Sequence, residues 1–128
     1  MRLHHACLRV RALEPAESFY VEGLGLRRLW TFALSRGHAA ALLGIDAPCR
    51  FLTLGGEAGR LEVFQADVPW TPPAAGAHVG FLLADRDAVL ARLAERNAPV
   101  REAVREGRRI VFVADPDGNW IELKPAEG

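Results

Sequence analysis

Sulfur is scarce in this 128-residue chain, which has two cysteines, Cys7 and Cys49, and a single methionine. Two thiols without a recurring spacing build neither a disulfide framework nor a thiolate zinc site, so both are expected to be reduced. Net charge is missing too. Sixteen basic residues balance sixteen acidic ones and no basic run stands out, which removes the electrostatic case for a nucleic-acid or anionic-membrane partner. No apolar run approaches the length of about eighteen residues that spans a bilayer, and Met1-Arg2-Leu3-His4-His5 lacks the apolar core of a secretion signal. A cytoplasmic, soluble protein with a small-molecule partner is expected, and no membrane or nucleic acid.

What the chain does have is enough apolar content for one core, at 50% hydrophobic residues, and a repetition around it. His5-Ala6-Cys7-Leu8-Arg9-Val10 and His78-Val79-Gly80-Phe81-Leu82-Leu83 are strand-like runs that each open on a histidine. Arg60-Leu61-Glu62-Val63-Phe64 and Trp120-Ile121-Glu122-Leu123-Lys124 close the two halves, each on a central glutamate. Two modules are read from this, residues 1–67 and 77–128. Residues 68–76, with Pro69, Pro72 and Pro73, form the linker, since adjacent prolines exclude a regular element.

In the first module, alternation over residues 3–11 predicts a strand and residues 14–22 a helix, opened by Pro15 and ended by Gly23 and Gly25. Strands follow at 26–34, 50–54 and 60–65, the last two joined by the glycine-rich turn 55–59. Gly37 to Gly44 is an insert, a short helix or loop, and accounts for the longer histidine-to-glutamate spacing of the first copy. The second module reads as a strand from His78, a helix over 85–97 capped by Asp85, and strands at 99–104, 108–114 and 120–124, with Asp115-Pro116-Asp117-Gly118-Asn119 as the final turn. Each half is β-α-β-β-β, and the expected class is α+β, two tandem modules whose curved mixed sheet surrounds a cleft.

Strand alternation also assigns faces. Leu61, Val63, Ile121 and Leu123 suit the helix-covered side, which puts Glu62 and Glu122 on the opposite side. His5 and His78 fall there by the same argument, and Cys7 and Arg9 share the face of His5. His4 falls on the other face and His38 in the insert. One histidine on a strand is usually structural; four ionisable groups at equivalent places in two copies are harder to explain that way. Two imidazoles and two carboxylates suit a borderline divalent ion such as nickel, zinc, cobalt, manganese or iron. The candidate metal ligands are therefore His5, Glu62, His78 and Glu122.

These features together resemble the vicinal oxygen chelate superfamily, which includes glyoxalase I, methylmalonyl-CoA epimerase, extradiol dioxygenases, fosfomycin-modifying enzymes and bleomycin-binding proteins. The resemblance is carried by the duplication, by His5 to Val10 with Phe19-Tyr20 and Leu24-Gly25-Leu26, and by Asp115 to Leu123. It implies that the metal positions fall on the same His5, Glu62, His78 and Glu122, the set of bacterial glyoxalase I. It implies a lyase or isomerase of glyoxalase I type that moves a proton through a metal-held enediolate, with Glu122, or alternatively Glu62, as general base. Arg9 matches a substrate-carboxylate arginine, and Cys7 lies beside it as a pocket residue. A homodimer is implied, in which His5 and Glu62 of one chain meet His78 and Glu122 of the other. An epimerase acting on an acyl-CoA, an extradiol dioxygenase, a thiol transferase and a metal-free binder of an antibiotic or metabolite stand beside this reading.

Overall fold

The computed structural model describes residues 1–56 and 59–126. The chain forms β1 (Ala6–Arg9), α1 (Leu13–Glu17), a π-helical continuation (Ser18–Gly23), β2 (Arg27–Leu34), α2 (Arg36–Leu43), β3 (Cys49–Gly56) and β4 (Gly59–Ala66). After residues 67–77, which carry neither strand nor helix, come β5 (His78–Leu83), α3 (Arg86–Glu95), β6 (Val100–Arg105), β7 (Arg108–Ala114) and β8 (Trp120–Pro125). The centre of the glycine-rich turn, residues 57 and 58, lies outside the described residues.

Two four-stranded mixed sheets result, in the orders β1-β4-β3-β2 and β5-β8-β7-β6. The architecture is α+β, two βαβββ units, each with its own sheet. In each sheet the first and last strands run parallel and the remaining pairs antiparallel. The expected helix over 14–22 is split, with an α-helical first turn and a wider π-helical second half. The widening still buries Phe19 and Tyr20 on one side.

The insert is a helix with sequence-encoded ends. The Ser35 hydroxyl accepts from the His38 backbone N–H at its start, and Gly44 ends it with φ 71°, where a side chain would be disfavoured. Through Ala39 it packs on Cys49, Phe51 and Phe64. These residues alternate with the core-facing ones of β3 and β4, so α2 covers the far part of the first sheet's open face.

The larger core takes residues from both units: Val10, Phe19, Tyr20, Leu52, Leu54, Leu61 and Val63 from the first, and Val89, Leu93, Val113, Ile121 and Leu123 from the second. Each large aliphatic side chain buried there stabilises the fold by about 1.5–3 kcal/mol. Polar ties cross the same junction. The buried Tyr20 hydroxyl donates to Asp115 Oδ2 at 2.7 Å, Asn119 Nδ2 donates to the Arg9 carbonyl at 2.9 Å, and Arg11 pairs with Asp117 at 2.8 Å. Arg96 reaches Glu22 at 2.6 Å. The closing turn of the second unit is thereby fastened to the first strand and helix of the first.

Candidate metal centre

Both halves present the same geometry in the same register. Cys7 stands opposite Glu62 in the parallel pair β1 and β4, and Gly80 stands opposite Glu122 in the parallel pair β5 and β8. In each case the histidine lies two residues earlier on the same face, diagonal to the glutamate. His5 Nε2 is 3.5 Å from Glu62 Oε1, and His78 Nε2 is 3.7 Å from Glu122 Oε1. Both glutamates are largely covered, with side chains 15% and 18% exposed.

The donor chemistry fits a divalent ion. His78 Nδ1 is 2.9 Å from the Gly76 carbonyl, and a carbonyl only accepts, so that nitrogen carries a proton and Nε2, which faces Glu122, is the ring nitrogen that would ligate an ion. His5 takes the equivalent form when its Nδ1–H donates in the 2.8 Å contact with His4 Nδ1. His4, expected on the opposite face, thus touches its neighbour edge-on. A nitrogen and an oxygen that both ligate one ion at about 2.1 Å stand about 3 Å apart, so each pair needs only a small adjustment.

Within one chain the pairs stay separate: among the described residues no three histidine, cysteine or carboxylate side chains come close enough to hold an ion. The shared core explains this. Both sheets turn their helix-covered faces into it, so the two open faces lie on the far sides of their sheets. The chain brings His5 to Glu62 and His78 to Glu122, as two separate pairs.

The remaining predicted residues have different surroundings. Arg9 is taken up by the linker: its Nη2 donates to the carbonyls of Val68 at 3.1 Å and Pro69 at 3.2 Å, and its guanidinium lies 5.3 Å from the Trp70 ring. Arg11 lies at 5.3 Å from the same ring. Cys7 is exposed but keeps its proton, because desolvation by neighbouring protein pushes its thiol up to about 12, with Glu62 and then Cys49 adding to the rise. His38 is exposed on α2.

Three features of the open faces carried no signal in the sequence. Thr53 stands opposite Glu62 in β3 and β4; it is fully buried and its hydroxyl has no partner, although a threonine in a strand reads only as a β-former. Phe32, Phe51 and Phe64 form a stacked row at centroid separations of 4.6 and 5.1 Å, and Trp30, beside it, lies 4.9 Å from the Arg60 guanidinium. Across the second sheet His78 packs edge-on to Phe112 at 4.7 Å.

Such a duplicated fold, with histidine and glutamate in matched register, narrows the class to proteins built from paired βαβββ units, and comparison with known proteins gives the family. The model of the Glyoxalase/Bleomycin resistance protein/Dioxygenase superfamily matches residues 2–123. The chain belongs to this superfamily. No curated protein matches it significantly. Among solved structures it is similar to a glyoxalase family protein from Bacillus cereus, with 21% identity and TM-score 0.80 over 98% of this chain and 93% of that one. It is also similar to the trypanothione-dependent glyoxalase I of Leishmania major, with 23% identity and TM-score 0.75 over 99% and 88%. TnmS3, an antibiotic binding protein from Streptomyces sp. CB03234, matches with 26% identity and TM-score 0.71 over 98% and 95%. No helix among the described residues is long and apolar enough to cross a membrane.

Proposed function

We propose that the chain is a cytoplasmic, homodimeric metalloenzyme of glyoxalase I type, in which His5 and Glu62 of one copy and His78 and Glu122 of the other hold one divalent ion. The observation that carries this reading is the matched pair of half-sites, with Nε2 to Oε1 separations of 3.5 and 3.7 Å on open faces that a single chain keeps apart. Thr53 supports it, since a buried hydroxyl left without a partner at Glu62 suits a site completed by further groups.

When bound, the ion, whether nickel, zinc, cobalt, manganese or iron, supplies Lewis-acid polarisation of a substrate carbonyl, which acidifies the neighbouring C–H. Glu122 takes that proton on its carboxylate and returns it to the adjacent carbon. Lys124 Nζ, 3.3 Å from Glu122 Oε2, steadies the oxygen that faces away from His78. Glu62, with no lysine partner among the described residues, is the alternative base and otherwise remains a ligand. Cys7 stays a neutral thiol in the wall and forms no bond to substrate.

A second reading is favoured by the exposed aromatic side chains of Trp30 and Phe32 on the first sheet and by the likeness to an antibiotic binding protein: a metal-free binder of a planar drug or metabolite. Elemental analysis of protein purified without chelators separates the two. One divalent ion per chain, and proton exchange with solvent at the acidic carbon of a hemithioacetal or acyl thioester, are expected for the enzyme. Glu122→Gln should slow that exchange by about 10²–10⁴-fold. A chain that takes up no nickel, zinc or cobalt, and exchanges no proton after their addition, leaves the binder.

A further inference from the structure

The two histidine–glutamate pairs match in register, yet the rows of side chains around them do not. Residues opposite one another in a ladder share a face, so the open face of the first sheet carries the row Trp30, Thr53, Glu62 and Cys7 across β2, β3, β4 and β1. The equivalent row of the second sheet is Arg101, Phe112, Glu122 and Gly80 across β6, β7, β8 and β5. Glu62 therefore stands between a hydroxyl and a thiol, and Glu122 between a phenyl ring and a glycine. Both neighbours of the first glutamate can donate a hydrogen bond, the thiol weakly, and neither side chain beside the second can.

Thr53 is the sharper signal of the two. Its side chain is fully buried and its hydroxyl makes no hydrogen bond, and a buried hydroxyl left without a partner costs about 1–3 kcal/mol. Of its neighbours in the row, Trp30 offers only an N–H donor, whereas Glu62 offers acceptors. In the structure Glu62 Oε1 is turned to His5 Nε2 at 3.5 Å. A carboxylate that gives one oxygen to an ion leaves the other in need of a donor, and hydrogen bonds of that kind fix the orientation of a ligand. Glu122 is placed differently. Besides His78, it is reached by Lys124 Nζ at 3.3 Å, at the end of a long, exposed side chain that can follow the carboxylate as it moves. Phe112 turns its ring edge-on to His78 at 4.7 Å and offers Glu122 no polar hold.

We propose that Thr53 is a positioning residue: its hydroxyl donates to the Glu62 carboxylate in the metal-loaded protein and keeps Glu62 a fixed ligand, which leaves Glu122 as the glutamate free to move a proton. The inference rests on the reading of His5, Glu62, His78 and Glu122 as one metal site, and it makes that site unequal in its two halves although the four ligands are matched in sequence. Thr53→Val, which keeps the shape and removes the hydroxyl, and Thr53→Ser, which keeps the hydroxyl, test it in the full chain. Nickel affinity is read by competition with a chromogenic chelator, and the melting of the metal-free proteins by circular dichroism. Thr53→Val should bind nickel about 10–100-fold more weakly than the parent, and Thr53→Ser should bind it as the parent does. Metal-free Thr53→Val should melt no lower than the parent, because a methyl group replaces a buried hydroxyl that has no partner. Weaker metal binding without lower stability is a result that a packing role for Thr53 does not give. Glu62→Gln should also weaken nickel binding more than Glu122→Gln does. Equal affinity in Thr53→Val and the parent, or equal weakening in Thr53→Ser and Thr53→Val, overturns the proposal. So does a metal-free Thr53→Val that melts well below the parent, or a Glu122→Gln that loses as much affinity as Glu62→Gln. A parent chain that takes up no nickel overturns the metal reading itself, whereas a parent that binds nickel beside an unaffected Thr53→Val removes only the role of Thr53.

Discussion

His5→Ala and His78→Ala proteins, each inactive alone, are expected to restore activity when mixed. The prediction follows from the separation of the His5–Glu62 and His78–Glu122 pairs within one chain. In a two-fold dimer each complete site draws one pair from each copy, so a homodimer of either variant has both sites broken. In a mixed dimer both missing histidines belong to one site, and the other keeps all four ligands. Random reassortment makes half of the dimers mixed, so about one quarter of all sites are whole and activity should reach about one quarter of the parent's. The two variants are unfolded and refolded together at equal concentration, and proton exchange and bound metal are read against each variant refolded alone. A mixture no more active than the sum of the separate proteins would refute the shared site.

Tyr20 gives a prediction on pH. It is the only tyrosine, and its phenol is held well above its ordinary value of 10.0 by burial, then by the charge of Asp115 and the hydrogen bond to it, and then by Asp117. A folded-state value raised above the unfolded one stabilises the fold below about pH 10, and that contribution is lost as pH rises further. Phenolate absorbance should therefore appear together with loss of tertiary circular dichroism; titration near pH 10 in a still-folded chain would contradict the buried contact. Tyr20→Phe should cost about 1.5–3 kcal/mol at neutral pH, read by urea unfolding, because one donor to the Asp115 carboxylate is lost. At Gly23 an added methyl would stand 2.8 Å from Leu93 Cδ2 and 3.3 Å from Arg96 Cδ. Gly23→Ala should lower stability by about 1–3 kcal/mol, and restoration by Leu93→Val in the same protein would locate the effect at the junction between the units.

Sequence alone determined the local order of this protein and the chemistry on each face. A period of two places Leu61 and Val63 opposite Glu62, and Ile121 and Leu123 opposite Glu122, and the faces in the structure agree because pleating leaves a strand no other choice. The repeat put His5 and His78 in equivalent positions for the same reason. Asp115 was legible as a turn residue; its carboxylate accepts the backbone N–H groups of Asp117 and Asn119.

Tertiary structure decided what these residues meet. The fusion of both helix-covered faces into one core sends the two histidine–glutamate pairs apart, which no spacing along the chain encodes. The partner of Tyr20 is 95 positions away in the chain, and Arg9 gives its guanidinium to the Val68 and Pro69 carbonyls, which only the folded path of residues 68–70 brings near. Local pattern fixes the direction of a side chain over two residues, whereas its partner depends on contacts made across the whole fold.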